Sequence, residues 1–321
     1  MRDILLLAHG TPNVLGEMAE YLSKVVGGRP MPQHVVEELQ HRYAEIGLRE
    51  EAGAEAPPLT KWTMAQADLL RKRLPGTRVY VAMRNWHPYI ADVVAQMKRD
   101  GVKAATAVCL APQTSRTSIG LYRRALAAAV DGAFAVTFVE GWHDEPHLLA
   151  AFAERLRAAW AKATAGGAKP TMLFTAHSVP CRTVQGEQPD AYARETKRTA
   201  ELIAAQVPEI GRWCFAFQSQ GVAGGPWIGP SVEETLAMLK REGVADVVIQ
   251  PVGFLCDHVE VLYDIDVAFQ QTAGELGMKL TRAESLNGSA ELTEALAAVV
   301  LQAESVKPVV LAVEAGNRSA V

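Results

Sequence analysis

MLFTAHSVP, residues 172–180, is a mostly apolar run that ends in Ala-His, two further residues and proline. ILLLAHGTP, residues 4–12, ends in the same way. A short apolar run stopped by proline reads as a strand buried on both faces that passes into a loop. The pattern occurs once in each half of the chain. A second correspondence pairs AVCLAPQTS, residues 107–115, with VIQPVGFLC, residues 248–256, each an apolar strand that meets proline near its end. Two similar α/β halves, each with its own parallel sheet, account for both repeats.

The rest of the chain alternates in the same sense. The repeated runs give strand candidates at 4–8, 105–111, 172–176 and 247–252, and further candidates are 79–83, 134–139 and 213–217. Helical periodicity covers 88–99, 146–163, 190–205 and 231–241. Pro88 and Pro146 suit a first helical position. Ser231, followed by Glu233 and Glu234 and closed by Gly243, reads as an N-capped helix. The expected division is residues 1–145, residues 146–304 with a last helix able to pack back on the first domain, and a loosely held tail, 305–321. EIGLREEAGAEAPP, residues 45–58, reads from its composition as a loop or lid.

Composition narrows the function classes. At 321 residues the chain is long enough for two cores. A net charge of −4 argues against a nucleic-acid surface, which would carry a basic stripe. No window is long and apolar enough to span a membrane. The N-terminus enters a strand without a basic region and cleavage site, so the expected address is the cytoplasm. Cys109, Cys181, Cys214 and Cys256 are widely spaced, with no CxxC pair, and read as reduced structural thiols.

Strand ends in an open α/β sheet are where ligands bind. His177 follows the run MLFTA, where partial desolvation would hold the imidazole neutral and able to accept a proton. A histidine that merely bonds backbone there is the alternative. PVGFLCDHVEVLYDID, residues 251–266, places Asp257, His258, Glu260 and Asp264 at a helix start. Asp257 and Glu260 have capping-box spacing, and Glu260 and Asp264 share a helical face. His9 is the repeat partner of His177, and Gly10 beside it would let a ligand approach the backbone. FQSQGVAGGPWIGP, residues 217–230, holds Trp227 in a Gly/Pro-rich loop that is either a surface loop or a wall for a flat ligand. Arg84, Asn85, Trp86 and His87 end one strand, and Ser115, Arg116 and Thr117 follow another, as possible carboxylate partners or helix caps.

These residues resemble the ferrochelatases, which insert ferrous iron into a porphyrin late in haem synthesis. TAHSVP around His177, FQSQ…PWIGPSVEET at 217–235 and residues 251–266 carry the resemblance. LLLAHGTP, RYAEIG, RNWHPYI and LAPQTS support it, and it extends to about residue 304. It implies two Rossmann-like domains with a porphyrin cleft between them. His177 matches the histidine assigned to pyrrole protons or metal, Glu260 the carboxylate facing it, and Asp264 the next of an acidic line. The expected catalytic pair is His177 and Glu260, and the expected metal contacts are His177, Glu260, Asp264 and His9. Expected porphyrin-binding positions are Thr11, Arg29, Trp86, Ser115, Tyr122 and Trp227.

Departures from the family pattern are as informative. The acidic line stops at Ala268, which argues against a second metal site. Residues 186–192, GEQPDAY, replace a Gly-Asp-x-Tyr run. No cysteine follows Cys256, so no [2Fe–2S] cluster is expected, and Fe²⁺ is a substrate rather than a resident cofactor. Porphyrin and Fe²⁺ are the expected partners of a monomer, with transient contact to neighbouring haem-pathway enzymes. The substrate is coproporphyrin III or protoporphyrin IX, the motifs leaning to the former. Alternatives are a chelatase for another metal and a non-catalytic tetrapyrrole carrier on the same fold.

Overall fold

The computed structural model describes residues 2–53, 55–185, 189–221, 225–306 and 311. The elements in order are β1 (Arg2–Ala8), α1 (Met18–Val25), α2 (Gln33–Glu45), α3 (Pro58–Arg73), β2 (Thr77–Met83), α4 (Ile90–Arg99), β3 (Ala104–Cys109), α5 (Ile119–Val130) and β4 (Ala135–Val139). There follow α6 (Pro146–Thr164), β5 (Thr171–His177), α7 (Cys181–Val184), α8 (Tyr192–Gln206), β6 (Trp213–Gln218), α9 (Val232–Arg241) and β7 (Asp246–Pro251). Then come α10 (Val259–Leu262), a π-helical turn (Asp264–Phe269), α11 (Gln270–Glu275), β8 (Lys279–Arg282) and α12 (Ala290–Ala303).

Two four-stranded sheets form, ordered β2-β1-β3-β4 and β6-β5-β7-β8, with every pairing parallel. The central strands β1 and β5 are buried on both faces, because helices must cross over each parallel connection. Leu5, Leu6 and Leu7 of β1 and Met172, Leu173 and Phe174 of β5 are essentially inaccessible. Each such side chain contributes about 1.5–3 kcal/mol of burial free energy. The two-sheet expectation holds, and β8 is the strand that the sequence reading lacks.

One compact unit comprises Met1–Leu110, Thr117–Glu140 and Leu296–Val321; the other comprises Ala111–Arg116 and Gly141–Ala295. Hydrogen bonds tie Ala111–Arg116 to the rest of the second unit. Gln113 Nε2 donates to the Val252 carbonyl at 3.0 Å, and the Thr114 and Arg116 amides donate to Glu195 and Asp190 at 2.6 and 2.8 Å.

The helix signals divide. Pro146 opens α6, and the Glu145 side chain caps it by accepting from the Leu148 amide. Ser231 and Glu234 form a reciprocal capping box on α9, with Gly243 at φ +83° just beyond its end. Pro88, by contrast, lies before α4, which starts at Ile90. Residues 46–57 hold no helix or strand among those described. Of the Gly/Pro-rich loop, residues 222–224 lie outside the described residues, as do 186–188 of GEQPDAY and most of the tail. Among the described residues no helix is long and apolar enough to cross a membrane.

Candidate functional site

In the second unit, parallel register sets His177 at the end of β5 opposite Gln218 at the end of β6. The Ser178 amide donates to the Gln218 carbonyl at 2.7 Å, so the two strand ends stay joined beyond His177. His177 Nδ1 is hydrogen-bonded to the Ser178 carbonyl oxygen. A carbonyl only accepts, so Nδ1 carries the proton and Nε2 is turned the other way. Nε2 lies 3.4 Å from Glu260 Oε1.

Glu260 has a second imidazole on its other oxygen. His258 Nε2 stands 3.6 Å from Glu260 Oε2, and His258 Nδ1 is 2.8 Å from the Cys256 carbonyl oxygen. Both histidines therefore share one arrangement: Nδ1–H on a backbone carbonyl and Nε2 on the same carboxylate. The His177 and Glu260 side chains keep 31% and 32% of their accessibility, so an incoming molecule can reach them.

The electrostatics follow from this contact. Burial opposes a charge on His177, but the Glu260 charge and hydrogen bond, the Ser178 carbonyl and the Asp264 charge raise its pKa above the ordinary value. Burial likewise opposes charge on Glu260, yet His177 and His258 hold its carboxyl well below the usual range. Each group thus favours the charged form of the other. Desolvation alone predicts a neutral His177; the facing carboxylate, distant in sequence, reverses that expectation.

The capping-box reading of Asp257 and Glu260 also fails. The helix start is His258, in extended conformation with no side-chain cap. Glu260 faces the histidines, and its backbone is held instead. Thr175 Oγ1 donates to Gln218 Oε1 at 2.6 Å, which leaves Gln218 Nε2 to donate to the Glu260 carbonyl at 2.7 Å. Thr175 and Gln218 are both buried, so this chain of bonds is shielded from water. Ser219, at φ +58°, turns its hydroxyl onto the buried Asp264 carboxylate.

Two aromatic residues complete the surroundings. The Trp227 ring centroid is 6.3 Å from that of His177, the planes inclined by 53°. Its edge approaches Gly221 so closely that a Cβ there would lie 2.9 Å from Cη2. The Tyr192 hydroxyl is hydrogen-bonded to the His177 backbone, and burial, aided by the Glu260 charge, pushes its pKa up. Gly253 makes room for it, since a Cβ there would meet Ala176 and the Tyr192 hydroxyl at 3.3 and 3.4 Å.

In the first unit, both ring nitrogens of His9 are engaged. Nε2 is 2.9 Å from Asn85 Nδ2, and Nδ1 is 3.1 Å from the Gly10 carbonyl oxygen and 3.2 Å from the Tyr21 hydroxyl. Metal ligation by His9 would require breaking one of these bonds, which the sequence does not disclose. Trp86 is 3% exposed and packs behind Gly10 and Tyr21. The positive φ of Gly10 brings that residue against the Trp86 backbone and Cβ, and the ring stands edge-on to Tyr21. Thr11 is buried with its hydroxyl 3.4 Å from that of Tyr43. Tyr122, on α5, is buried under the Arg84 guanidinium, 5.6 Å from the ring centroid, and its pKa is pushed up by burial. Arg29 is exposed, with Nε donating to the Val26 carbonyl at 3.1 Å. Ser115 is buried within the segment that joins the second unit.

The structure thus gathers His177, Glu260, Asp264 and Trp227 in one unit, and places His9, Thr11, Arg29, Trp86 and Tyr122 in the other. Among the described residues no group of three or more His, Cys, Asp and Glu side chains is arranged to hold a metal ion. Sequence reasoning left His258, Gln218, Ser219 and Tyr192 without roles. Only His258 carried a signal, its place two residues before Glu260.

Residues 2–304 match the ferrochelatase family model. A ferrochelatase of Acidobacterium capsulatum is 56% identical over 308 residues, 92% of each chain. A coproporphyrin III ferrochelatase of Geobacillus kaustophilus is 35% identical over 309 residues, 93% of this chain and 95% of that protein. Among solved structures, the cobalt complex of the sirohydrochlorin chelatase SirB from Bacillus subtilis subspecies spizizenii has a TM-score of 0.58 at 12% identity. It covers 95% of this chain and 96% of that one, a likeness of fold.

Proposed function

Because the chain belongs to the ferrochelatase family, whose members insert Fe²⁺ into a porphyrin in haem synthesis, we propose that it performs this insertion at the His177–Glu260 pair. The observation that carries this reading is the 3.4 Å contact between two accessible, oppositely ionisable side chains. Metal insertion removes two N–H protons from the macrocycle. His177 Nε2, once its own proton has left to solvent, is the base that receives a pyrrole proton, and the Glu260 carboxylate stabilises the imidazolium that results.

Fe²⁺ is a substrate here. Imidazole nitrogen and carboxylate oxygen both suit it, and two protein donors leave the remaining positions to water and pyrrole nitrogens. Asp264, held by Ser219, stands one turn behind Glu260 as the next carboxylate for a departing proton or arriving ion. The Trp227 ring beside His177 offers a flat apolar surface for the macrocycle. Arg29 is the exposed cation among the proposed porphyrin-binding positions, and Thr11, Ser115 and Tyr122 are the hydroxyl-bearing ones. The motifs favour coproporphyrin III, with four propionates, over protoporphyrin IX, with two. Neither a resident metal nor an iron–sulfur cluster enters this reading.

The test is anaerobic incubation of purified protein with Fe²⁺ and each porphyrin, followed by the absorbance change on metallation. Turnover is expected with both, with the larger kcat/KM for coproporphyrin III. Binding without metallation would instead identify a carrier, and turnover with cobalt but not iron a different chelatase.

A further inference from the structure

Four carboxylates lie within residues 257–266: Asp257, Glu260, Asp264 and Asp266. They have unlike partners. Arg282, at the end of β8, forks onto Asp266, with Nε 2.7 Å from Oδ1 and Nη2 2.9 Å from Oδ2. Its remaining nitrogen, Nη1, reaches Asp257 Oδ1 at 3.5 Å. Asp257 is also held by Asn287, whose Nδ2 donates to Asp257 Oδ2 at 2.9 Å and whose Oδ1 accepts from the Asp257 amide at 2.8 Å. Asn287 adopts φ +50° and donates its own amide to the Leu255 carbonyl, so the partner is itself fixed.

One guanidinium therefore holds both ends of the segment that bears Glu260 and Asp264. The segment needs such support. α10 is only four residues long, and it runs into a π-helical turn, a geometry rare outside functional sites. Arg282 is rigidly placed, because β8 pairs with β7 up to Ile249–Arg282 and the Ala283 amide continues onto the Ile249 carbonyl. Bidentate Arg–carboxylate geometry fixes direction as well as distance, which a lysine cannot do.

We propose that Arg282 is a positioning residue of the metal-insertion site, clamping residues 257–266 at Asp257 and Asp266 so that Glu260 and Asp264 stand where His177 and Ser219 meet them. The catalytic half of this inference rests on the function proposed above; the structural half does not. The clamp engages the two outer carboxylates and leaves the inner two for chemistry.

The test compares Arg282→Gln, Arg282→Lys and Asp266→Asn with the parent protein, by metallation kinetics and by hydrogen–deuterium exchange. For Arg282→Gln, kcat is expected to fall on the order of 10- to 100-fold, as for a catalytic group displaced by about 1 Å, with KM for porphyrin little changed. Exchange should rise in peptides covering 259–269 and stay unchanged in β1–β4. Arg282→Lys should recover part of kcat, and Asp266→Asn, which keeps the Asp257 contact, should lose less than Arg282→Gln. Faster local exchange at unchanged kcat would overturn the proposal, as would unaltered exchange or faster exchange throughout the chain. If the parent protein metallates no porphyrin, the functional reading fails, and the exchange data alone still decide the clamp.

Discussion

His177 and Glu260 each change what the other is. Burial disfavours both charges, but each charge is the counterion of the other, and the balance favours the ion pair. The sign of the pH dependence follows. The raised His177 pKa contributes stability that is complete below the ordinary value of 6.5 and is lost as pH rises through the folded value. The depressed Glu260 pKa contributes stability present above 4.5 and lost as pH falls through its folded value. Both contributions coexist between those two ordinary values. Catalysis needs the opposite state of His177, so kcat/KM should rise with pH through a pKa above 6.5. In Glu260→Gln, burial acts on the imidazole with less opposition, and its pKa should fall. Imidazole NMR of His177 in the apoprotein measures this without activity; an unmoved titration would show that Glu260 does not set the protonation of His177.

At the scale of elements, two acidic residues at the same spacing have opposite fates. Ser231 and Glu234 form a reciprocal capping box at the start of α9, as their spacing predicts. Asp257 and Glu260 have that spacing and form none, because Arg282 and Asn287 draw Asp257 aside and two histidines take Glu260. The cap is local chemistry and is legible in five residues. The second arrangement depends on partners contributed by other strands and loops, which no window of sequence contains. The π-helical turn over Asp264–Phe269 has no periodicity signal of its own in these six residues. Ser231→Ala should therefore cost about 1 kcal/mol of stability and leave the metallation rate unchanged. Chemical denaturation and the anaerobic assay check the two halves of that statement, and a slowed reaction would tie α9 to the site.

Across the whole molecule, the repeat that opens the reading corresponds to two sheets with equivalent strand orders, second-first-third-fourth in each. Seven of the strands advertise themselves as apolar runs and are legible for that reason; β8, reading KLTR, has no such run. The repeat also places a histidine at the same point of each sheet, yet the surroundings have diverged. His9 is bonded to the Asn85 amide, the Tyr21 hydroxyl and the Gly10 carbonyl. His177 faces Glu260 and an accessible surface. A base must exchange protons with a substrate, and the His177 side chain keeps 31% of its accessibility beside an ionisable partner that can hold the proton it takes up. His177→Ala should lower kcat by about 10²–10⁴-fold, the usual range for a general base. His9→Ala should lower it far less, its main effect being loss of the Asn85–His9–Tyr21 bonds and a lower melting temperature. Parallel kinetics and thermal melts of the two variants decide the matter: equal losses of kcat with both folds intact would return His9 to the reacting centre and make the two halves of the repeat equal partners in the chemistry.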